Sequence, residues 1–518
     1  MKNNYNFPFF IGLSLAIGLL IGSTLHYRQE TRTSASYKSA TKINKLIHYI
    51  EQDYFDKVDL DSIVEKVISE IIASLDPHST YLTENNYVLS SQQMSGTFEG
   101  IGIHFRIFKD SLVISKVLES GPSDLAGILP GDRILYSGKD TLFGKDISSA
   151  FILKALKGED SNALELKVHR RGVNNLLDFS IKRRTVKIKN AEVAYMLNDS
   201  LAYLRLERFA NNSYDEVKEN LISLRAVGAK NIVFDLRQNG GGFIHVANDI
   251  IDEFLEKGKL IVYTEDNKKN RTEYYASKDC FFEESDVYVL IDGGTASASE
   301  IFAGALQDND NGTIIGRRSF GKGLVQREVK LDDHSAVRLT VAKYYTPTGR
   351  SIQKPYDLDG YNDEYANRIN SGELYFADSI KPLDTLKFIT KKGKVLYGGG
   401  GIIPDVFVPL DTLDNLSDMA FQNLELFAFE YVDTNRTLLQ NQGFENFRKD
   451  DEAQGLMFNA YASEHSLDLP TESAKLEKLK MYLMGFVAKY AFGEIEFFKI
   501  LNENDPLVLK ALELDSRK

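Results

Sequence analysis

Hydrophobic and polar positions change rhythm several times along the chain, and each rhythm predicts a different element. Phe7 to Leu25 is uncharged and dominated by Phe, Ile, Leu, Ala and Gly. At about 19 residues it reaches the length that crosses a bilayer, so a signal anchor or transmembrane helix is expected within residues 1–30. Ile43, Leu46, Ile47 and Ile50, then Ile63, Val64, Val67, Ile68, Ile71 and Ile72, recur at helical spacing and predict a helical region over 39–95. From 96 to 184 short strands dominate: Leu112 to Val117, a short helix within Gly121 to Ile134, a helix over Ala150 to Leu156 and a closing strand over Ala163 to Arg170.

After Arg184 strands and helices alternate. Leu201 to Leu206 is followed by a helix that Ser213 and Glu216 would start as a capping box. Asn231 to Leu236 precedes a helix marked by Val246, Ile250 and Phe254; Val287 to Ile291 precedes one over Ser297 to Gln307; Thr313 to Gly316 and Ala336 to Tyr345 are further strands. Such alternation implies a largely parallel sheet covered by helices, assigned to 185–410. Residues 411–518 return to helical spacing, with Leu476, Leu479, Leu483, Phe486, Val487 and Tyr490 on one stripe.

The candidate chemistry lies where Gly293 and Gly294 break the apolar strand and Ser297 opens a helix. A serine there exposes its hydroxyl among unpaired helix-start N–H groups, which suit an oxyanion. No Gly-x-Ser-x-Gly elbow surrounds it, which disfavours an α/β-hydrolase. Downstream, Lys322 stands between Gly321 and Gly323, and Gln326 follows close enough to orient it. Alone, each piece reads as close packing or a solvated turn. Together, Thr295-Ala296-Ser297-Ala298-Ser299-Glu300 and Phe320-Gly321-Lys322-Gly323-Leu324-Val325-Gln326 resemble the carboxyl-terminal processing peptidases, the tail-specific serine proteases of peptidase family S41.

That resemblance implies Ser297 as nucleophile, Lys322 as general base and Gln326 as its orienting partner, on a crotonase/ClpP-like core. Asp235 to Gly242 is similar to the family's Asp-Leu-Arg-x-Asn-Pro-Gly-Gly, with Gly240 where proline is usual. The N–H groups of Gly241 and Gly242, with that of Ala298, are the expected oxyanion hole. A lysine can act as base only when neutral, so burial without a carboxylate neighbour is expected to lower its pKa. Asp76-Pro77-His78-Ser79 is also similar to the family at its place, and a turn role is expected for Asp76 and His78. Ser351-x-x-Lys354 matches a penicillin-binding-protein motif whose companions are absent, and reads as coincidence.

Gly100-Ile101-Gly102-Ile103 together with Gly121 to Ile134 resembles a PDZ domain. The resemblance implies that Gly100, Ile101, Gly102 and Ile103 hold a peptide's terminal carboxylate while the peptide adds as a strand. The whole therefore reads as a multidomain α/β protein: a membrane helix, a protease core with an inserted PDZ domain, and a helical C-terminal region. Resemblance places the catalytic part in the periplasm or another extracytoplasmic space.

Composition narrows the partners. A net charge of −12 without a basic tract argues against nucleic acid. One cysteine, Cys280, excludes an intramolecular disulfide and a cysteine zinc cluster, and the eight histidines lack ligand spacing, so no metal and no cofactor is expected. Gly240 to Gly242 lacks the context of a phosphate loop. Expected partners are protein substrates with accessible C-terminal tails, the membrane through the N-terminal helix, and a second copy or an adaptor. A catalytically idle PDZ scaffold and a non-proteolytic acyl hydrolase are the alternatives.

Overall fold

The computed structural model describes residues 39–145, 147–157, 163–278, 282, 285–355, 364–381, 384–411, 418–465 and 472–517. The expected membrane segment, Phe7 to Leu25, and Cys280 lie outside the described residues. Among those described, no helix is long and apolar enough to cross a membrane. The chain divides into two compact units, Met1–Leu75 and Asp76–Lys518. In the first, helices span 39–53 and Leu60–Ala73, and Asp59 caps the second by accepting from Ser62 N–H.

The second unit is mixed α/β, built on a six-stranded sheet. Its order is Val193–Met196, Leu201–Arg205, Asn231–Asp235, Val287–Ile291, Thr313–Gly316 and Val406–Phe407. The first pair is antiparallel and every other pairing parallel. All five residues of Val287–Ile291 are buried, because helices cover both faces. On one face Phe234, Val289 and Ile314 meet Phe254 and the helix Ala298–Asp308, with Phe234 and Phe302 stacked 4.5 Å apart. Alternation turns Val233, Leu290 and Ile315 to the other face, where Leu507, Val508 and Ala511 of the helix Pro506–Ser516 cover them. The last helix of the chain is thus a layer of this core.

An antiparallel sheet lies beside it, in the order Thr80–Leu82, Ala336–Tyr345, Leu260–Asp266 and Arg271–Tyr275, with Leu324–Lys330 also paired to Ala336–Tyr345. The β-rich module has the strand order Ile103–Phe108, Ser111–Val117, Arg133–Ser137, Leu164–His169, Leu177–Ile181, and helices at Pro122–Leu125 and Ser149–Lys157. The strand expected to close it does not: Leu164–His169 lies inside the sheet, and Leu177–Ile181 pairs outside it. Thr97–Gly100 and Arg184–Lys187 pair where the chain enters and leaves. The C-terminal helices pack on this module, with Phe108 and Val113 joining Leu424, Phe429 and Phe486 in one cluster, and with Arg133 2.8 Å from Asp433.

The capping box expected at Ser213 and Glu216 is not formed. Asn212 is the N-cap, Ser213 already lies in the helix, and Glu216 instead accepts from the main-chain N–H groups of Asn190 and Ala191 at 2.7 and 3.0 Å. Those two donors follow the last strand of the β-rich module and have no ladder partner there, so they outcompete the helix start for the carboxylate.

Candidate active site

Ser297 precedes the helix Ala298–Asp308 and adopts φ 56°, ψ −115°. A non-glycine residue there stores about 1–3 kcal/mol of strain and persists only when its surroundings hold it. Four contacts do so. Ser297 N–H donates to Glu300 Oε2 at 2.9 Å, and Ser297 O accepts from Glu300 N–H, Ile301 N–H and the Tyr344 hydroxyl. Glu300 is wholly buried, with the serine-to-glutamate spacing that lets a carboxylate reach back over a helix start.

Glu300 also reaches the lysine loop. Its Oε1 accepts from Gly321 N–H at 2.7 Å and from the Ser319 hydroxyl, and its Oε2 accepts from Lys322 N–H at 2.8 Å. Gly321 needs φ +90°, a conformation open to glycine, and its carbonyl accepts from Lys354 N–H at 3.0 Å. Gly323 N–H donates to Gln353 Oε1 at 2.8 Å. The Ser351 to Lys354 stretch therefore frames the lysine loop through Gln353 and the Lys354 main chain.

Lys322 Nζ donates to Gln326 Oε1 at 2.6 Å, and Gln326 Nε2 donates to His78 O at 2.6 Å. His78 sits in a turn that Asp76 folds by accepting from the N–H groups of His78 and Ser79 at 2.8 and 2.7 Å, and from the Ser79 hydroxyl. Ser297 and Glu300 form a capping box at this helix start, and no hydrogen bond joins Ser297 Oγ to Lys322 Nζ. Both side chains line one cleft of about 440 Å³, together with Gly240, Gly241, Gly242, Ala298 and Gln326.

Burial, and after it the Arg338 guanidinium, lowers the Lys322 pKa below its ordinary 10.5. One expectation needs correction: the amine does have carboxylate neighbours, because Glu300 and Asp76 both push the value up. Burial still wins. Glu300 is itself buried, which raises its own pKa, and its charge is spread over four N–H and O–H donors.

Of the three expected oxyanion donors, Gly241 is engaged elsewhere: its N–H donates to Asn239 Oδ1 at 2.8 Å. Buried Asn239 also takes Ala296 N–H and the Ser299 hydroxyl on its carbonyl, at 3.0 and 2.9 Å, and so splints the glycine turn to the serine helix. The N–H groups of Ala298 and Gly242 have no acceptor among the described residues. A Cβ at Gly241 would stand 2.7 Å from Ala296 O, and one at Gly242 2.2 Å from Phe209 O, so glycine is required at both.

The Gly100 to Ile103 loop lies outside this cleft. Ile101 O accepts from Ser123 N–H and Gly102 O from Leu118 N–H, both at 2.9 Å, which anchors the loop by its carbonyls. Among the described residues no group of His, Cys, Asp and Glu is arranged to hold a metal ion. Sequence reasoning missed Asn239, Glu300 and Tyr344. Only Glu300 left a local signal, its spacing from Ser297.

Residues 200–359 match peptidase family S41. The chain is 33% identical over 351 residues to a carboxy-terminal-processing protease of Bartonella bacilliformis, covering 67% of this chain and 79% of that protein. With the carboxy-terminal processing protease CtpB of Bacillus subtilis it shares 27% over 421 residues, 80% of this chain and 86% of that one. The photosystem II D1 C-terminal processing protease aligns at 25% identity over 70% of this chain and 84% of its own, with a TM-score of 0.34.

Proposed function

Given that the chain belongs to peptidase family S41, the carboxy-terminal processing proteases, we propose that it is a serine endopeptidase that captures C-terminal tails of protein substrates and cuts them through an acyl-enzyme. Ser297 is the nucleophile and Lys322 its base. The supporting observation is a part-buried lysine of lowered pKa whose main-chain N–H shares one Glu300 oxygen with the main-chain N–H of the serine.

Neutral Lys322 takes the proton of Ser297 Oγ as that oxygen attacks the scissile carbonyl carbon. Negative charge then develops on the carbonyl oxygen, for which the N–H groups of Ala298 and Gly242 are the donors in this reading, and the Gly241 N–H joins them if Asn239 releases it. The Lys322 ammonium returns its proton to the leaving amine. Water, deprotonated by neutral Lys322, then attacks the acyl carbon; the ester bond to Ser297 Oγ breaks and the lysine ammonium returns the proton to that oxygen. Gln326 holds the waiting amine through a neutral hydrogen bond, which adds no negative charge to favour the ammonium. The Gly100, Ile101, Gly102, Ile103 loop of the PDZ-like module holds the tail's carboxylate. Residues 1–30 anchor the enzyme to the membrane with its catalytic part outside the cytoplasm; full-length protein found wholly in the soluble fraction would refute the anchor.

Labelling by a fluorophosphonate tests the chemistry. Wild type should react, and Ser297→Ala should not. Lys322→Arg should be inactive, since a guanidinium stays charged at any usable pH. Near-normal labelling of Lys322→Arg or Lys322→Ala would move the base elsewhere, with His78 and His245, which lines the same cleft, next in line. An idle scaffold has no need of a lysine of lowered pKa sharing a cleft with a strained serine.

A further inference from the structure

Tyr344 lies near the end of the Ala336–Tyr345 strand and is 1% exposed. Its hydroxyl is 2.8 Å from Lys322 O and 3.1 Å from Ser297 O. Its main-chain N–H donates to Gly323 O at 3.0 Å. On the other side of the same two residues, Glu300 Oε2 takes both N–H groups, at 2.9 Å from Ser297 and 2.8 Å from Lys322. Nucleophile and base are therefore tied twice, by their N–H groups to one carboxylate oxygen and by their C=O groups to one phenol.

The N–H and C=O of a residue flank its Cα, so fixing both fixes the direction in which Cβ leaves. This matters because no hydrogen bond joins Ser297 Oγ to Lys322 Nζ, and the lysine amine is turned to Gln326. The reach between them must come from the backbone. We propose that Tyr344 is a positioning residue of the Ser297–Lys322 pair, its hydroxyl setting their spacing by holding both carbonyl oxygens on one proton donor. The inference rests on that pair being nucleophile and base.

Two carbonyl oxygens converging on one point repel each other unless a proton lies between them. Burial raises the Tyr344 pKa, so the phenol keeps its proton wherever the enzyme works. Without the hydroxyl the carbonyls part, and Ser297 is freed to leave its strained φ of 56°. A displacement of about 1 Å at a reacting pair costs on the order of 100-fold in rate.

The test uses the full chain. Tyr344→Phe should lower fluorophosphonate labelling and peptide kcat by about 10- to 100-fold. KM should stay within about twofold, as should binding of a tail peptide, because the donor acts on chemistry and not on capture. A packing role alone would reduce the folded fraction without lowering kcat per folded molecule. 4-Aminophenylalanine placed at 344 keeps N–H donors for both carbonyls and should restore most of the rate. If Tyr344→Phe does not fold, 4-fluorophenylalanine fills the hydroxyl's place without a proton and serves instead. Equal labelling of wild type and a donor-free variant overturns the inference, and so does a loss that the amino analogue fails to restore. If Lys322→Ala labels normally the dyad itself is wrong, and that result is independent of Tyr344.

Discussion

Gln326 Nε2 donates to the main-chain oxygen of His78 at 2.6 Å, joining the turn that opens the second unit to the strand that follows Lys322. The same amide accepts from Lys322 Nζ through its oxygen, so the His78 carbonyl decides which end of Gln326 faces the amine. Gln326→Ala should keep a small residual acylation rate with little change in KM. Asp76→Ala should lower the same rate, because Asp76 folds the turn that presents the His78 oxygen. Full activity in both variants would leave the lysine oriented by something else.

Glu300 ties serine and lysine together and also raises the Lys322 pKa. In wild type, acylation should rise with pH and level off below 10.5, the ordinary lysine value, because burial lowers the pKa and the neutral amine is the active form. Glu300→Gln removes a negative charge that favours the ammonium. The midpoint of the rising limb should therefore move to lower pH, while the plateau falls by about 100-fold as the loop loses its clamp. A midpoint that stays put or moves upward in the pH–labelling profile would contradict this role.

Capture is expected to depend on a free carboxylate. Charge-assisted hydrogen bonds contribute about 1.5–3 kcal/mol, so a tail peptide should bind at least about tenfold tighter than its C-terminal amide. Fluorescence anisotropy on Ser297→Ala measures this without cleavage. Equal affinities for the two peptides would rule out the Gly100 to Ile103 loop as a carboxylate site.

The last helix should be required for the stability of the core. Leu507 is buried against the sheet face that carries Val233 and Leu290, and Leu507→Ala should cost about 2–5 kcal/mol in urea unfolding. A loss under about 0.5 kcal/mol would mean that the face is covered by other means. Asp505 caps this helix and lies 2.6 Å from Arg237, which holds Asp235. Burial raises the Asp235 pKa, but Arg237 and Arg205 outweigh it and bring it down to about 2. The folded value is depressed, so the stability this carboxylate contributes is present above the ordinary 3.8 and is lost as pH falls from there towards about 2.

The sequence by itself determined the elements whose signal is local. Val287–Ile291, Thr313–Gly316 and Ala336–Tyr345 occur where their apolar runs end in glycine or turn residues, and the parallel sheet follows from strands alternating with helices. Ser297, Lys322 and Gln326 stand out as candidates because each lies in a short segment of unusual composition. The family was legible for the same reason. Glu216 was misread because its competing donors, Asn190 and Ala191, arrive from 26 and 25 residues away, and capping rules see only neighbours. Gly241 looked like a free donor because Asn239 could as well have pointed outward. Tertiary structure alone decided that Tyr344 and Glu300 bracket the two catalytic candidates, that the His78 turn reaches Gln326, and that the last helix covers the sheet. Each depends on strands brought together from distant parts of the chain. A buried donor or acceptor takes the partner that packing delivers, and periodicity carries no record of which one that will be.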